Sequence, residues 1–122
     1  MIAEKNKMII EAIFKLRVWC IENLPIDNSL IAYDLLLLLS IHHYSNGHIT
    51  VKQLFASMPY SYTAIRVHYQ RYVTDGWIEH YSDEKDRRIK YVRPTQKFIE
   101  TINLFALTAG ELFMIESPDA GQ

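Results

Sequence analysis

The chain has 122 residues, 49% of them hydrophobic and 22% charged, with a formal net charge of −1. That is enough chain for one hydrophobic core, and the composition is that of a globular domain rather than a disordered segment. The longest uninterrupted apolar run, Leu35 to Leu39, is far short of the about 20 residues a membrane-spanning helix needs, and the charged N-terminus fits no secretion signal. A cytoplasmic protein is therefore expected, and a single cysteine, Cys20, excludes an internal disulfide.

A first helix is predicted over about Ile2 to Asn23, ended by Pro25. Its apolar residues form two stripes, Ile9, Ile13, Leu16, Cys20 and Ile10, Phe14, Val18, Ile21. Together they make a face wider than one packing partner needs, so one stripe has to meet another surface. A second helix spans about Ser29 to Tyr44, with Asp27, Asn28 and Ser29 as caps and Asn46-Gly47 as its stop. It is leucine-rich nearly all round, the pattern of a central helix. After it, His48-Ile49 suits a short strand.

The stretch from Ile49 to Thr95 organises the chain. Thr50 followed three residues later by Gln53 is a capping-box signature, predicting a helix that carries Val51, Leu54 and Phe55 inward and ends near Ser57. Met58-Pro59 breaks the chain, and Ser61 caps a further helix that runs to about Thr74, where Asp75-Gly76 stops it. Two helices joined by so short a turn make a helix-turn-helix. On the second, Ile65, Tyr69, Tyr72 and His68 recur at helical spacing and form an inward face. The outward face holds Tyr62, Thr63, Arg66, Val67 and Gln70. Arginine pairs with guanine edges, glutamine with adenine and apolar groups with the thymine methyl, so these are residue types that read a major groove. A solvated helix face is the competing reading.

Trp77 to Tyr81 and Ile89 to Arg93 alternate as two strands around a polar tip, Ser82 to Arg88, with the sequence SDEKDRR. Lys85, Arg87 and Arg88 suit phosphates or a minor groove, with Asp83 and Asp86 bonding the turn's own backbone and orienting the arginines. An ordinary charged hairpin is the alternative. The net charge hides a local excess: Ser61 to Lys97 hold eight Lys and Arg against five Asp and Glu, the remainder five against nine. A phosphate responds to the patch within a Debye length of about 8 Å, not to the total.

Thr95 is read as the cap of a last helix reaching about Ile115, along which Phe98, Ile102, Phe105, Ala109 and Leu112 repeat like a heptad seam. Leu104, Leu107, Phe113, Met114 and Ile115 add apolar surface that points to a second copy as partner, against the alternative that both stripes are intramolecular core. Residues 117–122 read as a frayed tail.

The run from Gly76 to Lys97, a helix-closing glycine, aromatic and aliphatic strand residues, then D-E-K-D-R-R and V-R-P-T-Q-K, resembles the wing of MarR-type winged-helix transcription regulators. In that family a D-x-x-D-R-R tip leads into a strand ending in Leu-Thr, where this chain has Pro94-Thr95. The likeness extends back to about Thr50, somewhat under half of the chain. It implies a mainly α fold with a small β-hairpin wing: residues 1–122 as a single winged-helix domain, 1–23 and 95–116 as dimerisation helices, 50–94 as helix-turn-helix plus wing. It also implies that Ser61 to Gln70 dock in a major groove, that Asp86 and Arg87 shape the wing tip, and that Arg87 or Arg88 enters a minor groove. The implied function is a homodimeric regulator, expected to repress by occluding a promoter on double-stranded operator DNA. MarR-like dimers often bind small aromatic effectors in a crevice, for which Trp19, Tyr33, Tyr44, Tyr60 and Phe98 are the candidates here; such rings also serve as core.

No feature supports an enzyme or a cofactor: there is no glycine-rich phosphate loop, nucleophile elbow or framed carboxylate pair. His42, His43 and His48, with Glu22 or Cys20, invite a metal-site reading. Adjacent helical residues point about 100° apart, however, and no second ligand set has a recognisable spacing, so no metal is expected. Cys20 on its apolar stripe reads as a buried inert thiol. The sequence leaves one other function open, a winged-helix adaptor that contacts protein, supported by a tyrosine-rich recognition helix whose cations are Arg66 and Arg71.

Overall fold

The computed structural model describes residues 1–115, so the tail expected at 117–122 lies outside the described residues. Among these, five helices and three strands follow as α1 (Ile2–Asn23), α2 (Leu30–Tyr44), β1 (Ile49–Thr50), α3 (Val51–Ala56), α4 (Tyr62–Thr74), β2 (Ile78–Ser82), β3 (Lys90–Pro94) and α5 (Gln96–Ile115). They group into two compact units, one of Met1–Asp27 with α5 from Thr101 onward, the other Asn28–Glu100.

In the second unit α2 is the central helix, as its all-round apolar pattern requires. Leu35, Leu36 and Leu39 are buried, together with Leu54, Ile65, Tyr72 and Phe98. Polar links join α2 to α4 and the turn before it. The Tyr72 hydroxyl donates to the Ala32 carbonyl at 3.1 Å, the Tyr60 hydroxyl donates to Asp34 Oδ2 at 2.6 Å, and Ser29 Oγ meets His68 Nε2 at 3.2 Å. The His68 placement agrees with the inward face read from spacing.

The local signals act largely as their chemistry demands. Thr50 Oγ1 accepts from the Gln53 amide and Gln53 Oε1 from the Thr50 amide, each at 3.0 Å, completing the capping box. Ser61 Oγ accepts from the Ala64 amide at 3.2 Å. Gly76 takes φ 77° at the end of α4, where a side chain would be strained. Of the three residues read as caps of α2, Ser29 supplies the bond, to the Ala32 amide, whereas Asp27 and Asn28 form a left-handed turn at φ 46° and 60°. At the other end of α2, Asn46 and not Gly47 takes the left-handed position, with φ 54°. Thr95 also departs from expectation, since its hydroxyl lies 2.7 Å from the Gly76 carbonyl and 3.1 Å from that of Trp77. It thereby clamps the start of α5 to the end of α4.

The sheet has the order β1-β3-β2, both pairs antiparallel, with Ile49 opposite Val92 and Ile78 opposite Pro94. Each wing strand begins one residue later than the alternation suggested. Trp77 stands outside the strand because its amide donates to Tyr72 and its ring packs on Phe98 at 5.4 Å, which continues the core. The wing is held to α4 by Tyr69 and His80, whose rings stack at 5.6 Å and whose hydroxyl and Nε2 are hydrogen-bonded.

In the first unit, α1 buries Ala12 and Cys20, while Trp19 stacks on Phe105 at 6.0 Å. Ala12 replaces Ile13 on the inner stripe, because the helix turns Ile13 outward to join the second one. That outer stripe stays uncovered, with Ile10 62% and Phe14 66% exposed, and Leu107 on α5 is 60% exposed.

Leu36→Ala should cost about 2–5 kcal/mol of stability in urea denaturation, as a fully buried leucine with little room to collapse, whereas Thr50→Ala should cost about 0.5–2 kcal/mol for the lost cap. Burial, then the nearby Lys90 charge, hold the His80 imidazole below its ordinary value. The unfolded chain therefore binds that proton more readily, and stability should fall as pH drops below about 6.5 toward the folded value. The stability difference between wild type and His80→Asn should shrink across that window; a pH-independent difference would show that the pair does not couple to protonation.

Candidate nucleic-acid interface

The helical repeat divides α4 cleanly. Ile65, Tyr69 and Tyr72 are buried, and Tyr62, Thr63, Arg66, Val67 and Gln70 are all exposed on the outward side. Ser61 precedes them at the N-cap, its oxygen engaged with the Ala64 amide. Tyr62 packs edge-on against Phe55 at 5.6 Å, which anchors the first turn of the exposed face to α3. Arg66 makes no hydrogen bond or ion pair among the described residues.

The wing tip is built by its two aspartates. Asp83 Oδ1 accepts from the Lys85 amide at 2.8 Å, and Asp86 Oδ1 accepts from the Arg88 amide at 3.1 Å, each closing a turn with a side chain in place of backbone. Asp86 also takes Arg88 Nε at 3.0 Å and Nη2 at 3.2 Å, a forked pair. The Arg88 guanidinium, and after it the Arg88 amide, hold the Asp86 carboxyl below its usual range. The charge of Arg88 is thus partly offset, whereas Lys85 and Arg87 are exposed and make no ion pair among the described residues. The tip carries Arg87 as its uncompensated arginine. The resemblance implies that Asp86 and Arg87 shape the tip and leaves open which arginine enters a minor groove; Asp86 engages Arg88 instead, because the turn it closes brings the Arg88 amide and guanidinium onto its carboxylate.

Helix and wing enclose a groove of about 660 Å³, lined by Lys52, Arg66, Gln70, Arg88 and Lys90, with Phe55, Tyr69 and His80 also contributing to its walls. Lys52, Lys90 and His80 were not singled out from the sequence, where Lys52 reads as an ordinary helix-surface lysine and the other two as strand residues. The signal for Lys90 was its place just beyond the SDEKDRR tip.

Each of the remaining candidates has its own packing. Phe98 is core, ringed by Tyr72 and Trp77; Tyr60 is bonded to Asp34; Tyr44 is exposed beside His43; Trp19 is stacked on Phe105. Tyr33 is half-buried on α2. His42, His43 and His48 border a smaller cavity of about 350 Å³ with Tyr81 and Arg93. His48 Nδ1 is bonded to the Tyr81 hydroxyl at 2.5 Å. No three His, Cys, Asp or Glu among the described residues are arranged to hold a metal ion. Nor is any described helix long and apolar enough to cross a membrane.

No protein-family model matches the chain, and no curated protein sequence does. Solved structures match throughout its length. Tm0710, a transcriptional regulator from Thermotoga maritima, gives a TM-score of 0.67 at 18% identity, covering 96% of this chain and 80% of its own. MepR from S. aureus in complex with DNA gives 0.71 at 16% identity, over 94% and 83%. A cysteine-to-serine variant of MarR from E. coli complexed with operator DNA gives 0.57 at 20% identity, over 94% and 81%. At these identities the likeness is one of fold, and the chain has the winged helix-turn-helix fold of the MarR-type regulators.

Proposed function

We propose that this protein is a transcription regulator that binds duplex DNA as a homodimer and represses by occluding a promoter, a binding function rather than a catalytic one. The observation that carries the reading is the joint display, on one unit, of the exposed α4 face and a wing tip whose Arg87 is uncompensated. Tyr62, Thr63, Arg66, Val67 and Gln70 have the donors, acceptors and apolar surface to meet base edges. Lys85 and Arg87 suit the phosphates or the narrow minor groove beside them. Support from outside the chain is that MepR and MarR, of the same fold, have been solved with DNA. The uncovered stripe of α1 and the exposed Leu104 and Leu107 of α5 supply an apolar surface of the kind a second copy would bury. A two-fold dimer would present two recognition helices to half-sites about one helical turn apart.

Binding to upstream fragments of its own gene, titrated at two salt concentrations, tests the reading. Arg66→Ala should relax preference at one base position, worth about 1–3 kcal/mol of discrimination, while Arg87→Ala should weaken all duplexes evenly and make binding less salt-dependent. Arg88→Ala should weaken binding less than Arg87→Ala, since Asp86 already engages it. Salt-insensitive or absent binding would instead support the protein-contact adaptor. For the dimer, sedimentation velocity should show wild type at twice the chain mass and Phe14→Glu as monomer; a monomeric wild type at micromolar concentration would refute the assembly.

A further inference from the structure

The groove between α4 and the wing holds two cations, Lys52 and Lys90, that belong to neither the α4 face nor the wing tip. Lys52 on the first turn of α3, Arg66 on α4 and Lys90 at the start of β3 all border it. Sheet register gathers them: Thr50 pairs with Tyr91, which places the neighbouring Lys90 beside the start of α3. All three side chains are exposed, and none makes an ion pair among the described residues. The groove's described lining contains no Asp or Glu, in a chain whose acidic residues outnumber its basic ones. Arg88 adds a fourth cation, already held by Asp86. Like charges gathered without a counter-charge repel one another in the free protein, and the arrangement is relieved when an anion occupies it.

The shape says which anion. On the function proposed above, on which this inference rests, α4 enters a major groove and the wing the adjacent minor groove, and what separates those two grooves in a duplex is one sugar-phosphate strand. We propose that the groove is the track of that phosphodiester strand, with Lys52 and Lys90 as its phosphate contacts. Tyr69 and His80 fix the distance between helix and wing, so they are positioning residues for the track rather than contacts in it.

The test uses the full chain and a random-sequence duplex of about 30 base pairs, titrated by fluorescence anisotropy between about 50 and 200 mM salt. Wild type is compared with Lys52→Gln, Lys90→Gln, the double variant, and Lys15→Gln, which removes an exposed charge from α1. Each groove variant should lower the slope of log affinity against log salt by about 0.9 and the double by about 1.8, with Lys15→Gln unchanged. The loss should be the same on duplexes of different sequence, because phosphate contacts carry no base information. Unchanged slopes for both groove variants, with Arg87→Ala still weakening binding, would overturn the phosphate track and leave the DNA-binding reading standing. Absent or salt-insensitive binding by wild type would overturn both.

Discussion

The structure of the second unit depends on the burial of one helix on most of its sides. α2 packs against α4 and β3, and its Leu35, Leu36 and Leu39 are withdrawn from water almost completely. Burial of that kind is non-directional, so it would tolerate rotation of α4 about its own axis. The polar links remove that freedom. Tyr72 on the Ala32 carbonyl and Tyr60 on Asp34 have one good geometry each, and with Ile65 and Tyr69 also buried they fix which face of α4 looks outward. The outward face of α4 is therefore set by what lies beneath it.

The wing is fixed in the same way. Tyr69 is inward on α4 yet reaches His80 on β2, so one tyrosine takes part in the core and in the placement of the hairpin. Thr95 and Trp77 close the other end of the hairpin, through the Trp77 carbonyl and the packing of its indole on Phe98. Between these two clamps the strands pair from Ile78 opposite Pro94 to Ser82 opposite Lys90. That register decides which cations share the groove.

Charge in this protein is arranged rather than accumulated. A chain of net charge −1 has Arg66, Arg87, Lys52 and Lys90 on one unit without ion pairs among the described residues, while Arg88 and Arg93 are matched to Asp86 and Glu79. Exposed pairs of that sort contribute little stability. Their effect is on geometry, since Asp86 orders the tip and sets Arg87 apart from its neighbour. The first unit shows the opposite chemistry, an apolar stripe from Ile10 to Ile21 left on the surface of α1.

The sequence by itself determined the elements and their outward faces. Helix extents, the Thr50–Gln53 box, the Ser61 cap, the Gly76 stop and the exposed set from Tyr62 to Gln70 all depend on interactions within a few residues, so local spacing reports them. It missed by one residue where the strands begin and gave Thr95 a cap in place of its contacts with Gly76 and Trp77, because there a distant partner outweighs the local preference. Only the tertiary structure decided that Arg88 is engaged and Arg87 is not, and that Lys52, Arg66 and Lys90 border one groove. Those facts depend on side-chain geometry and on a strand register joining residues about forty positions apart. Periodicity carries no information about either.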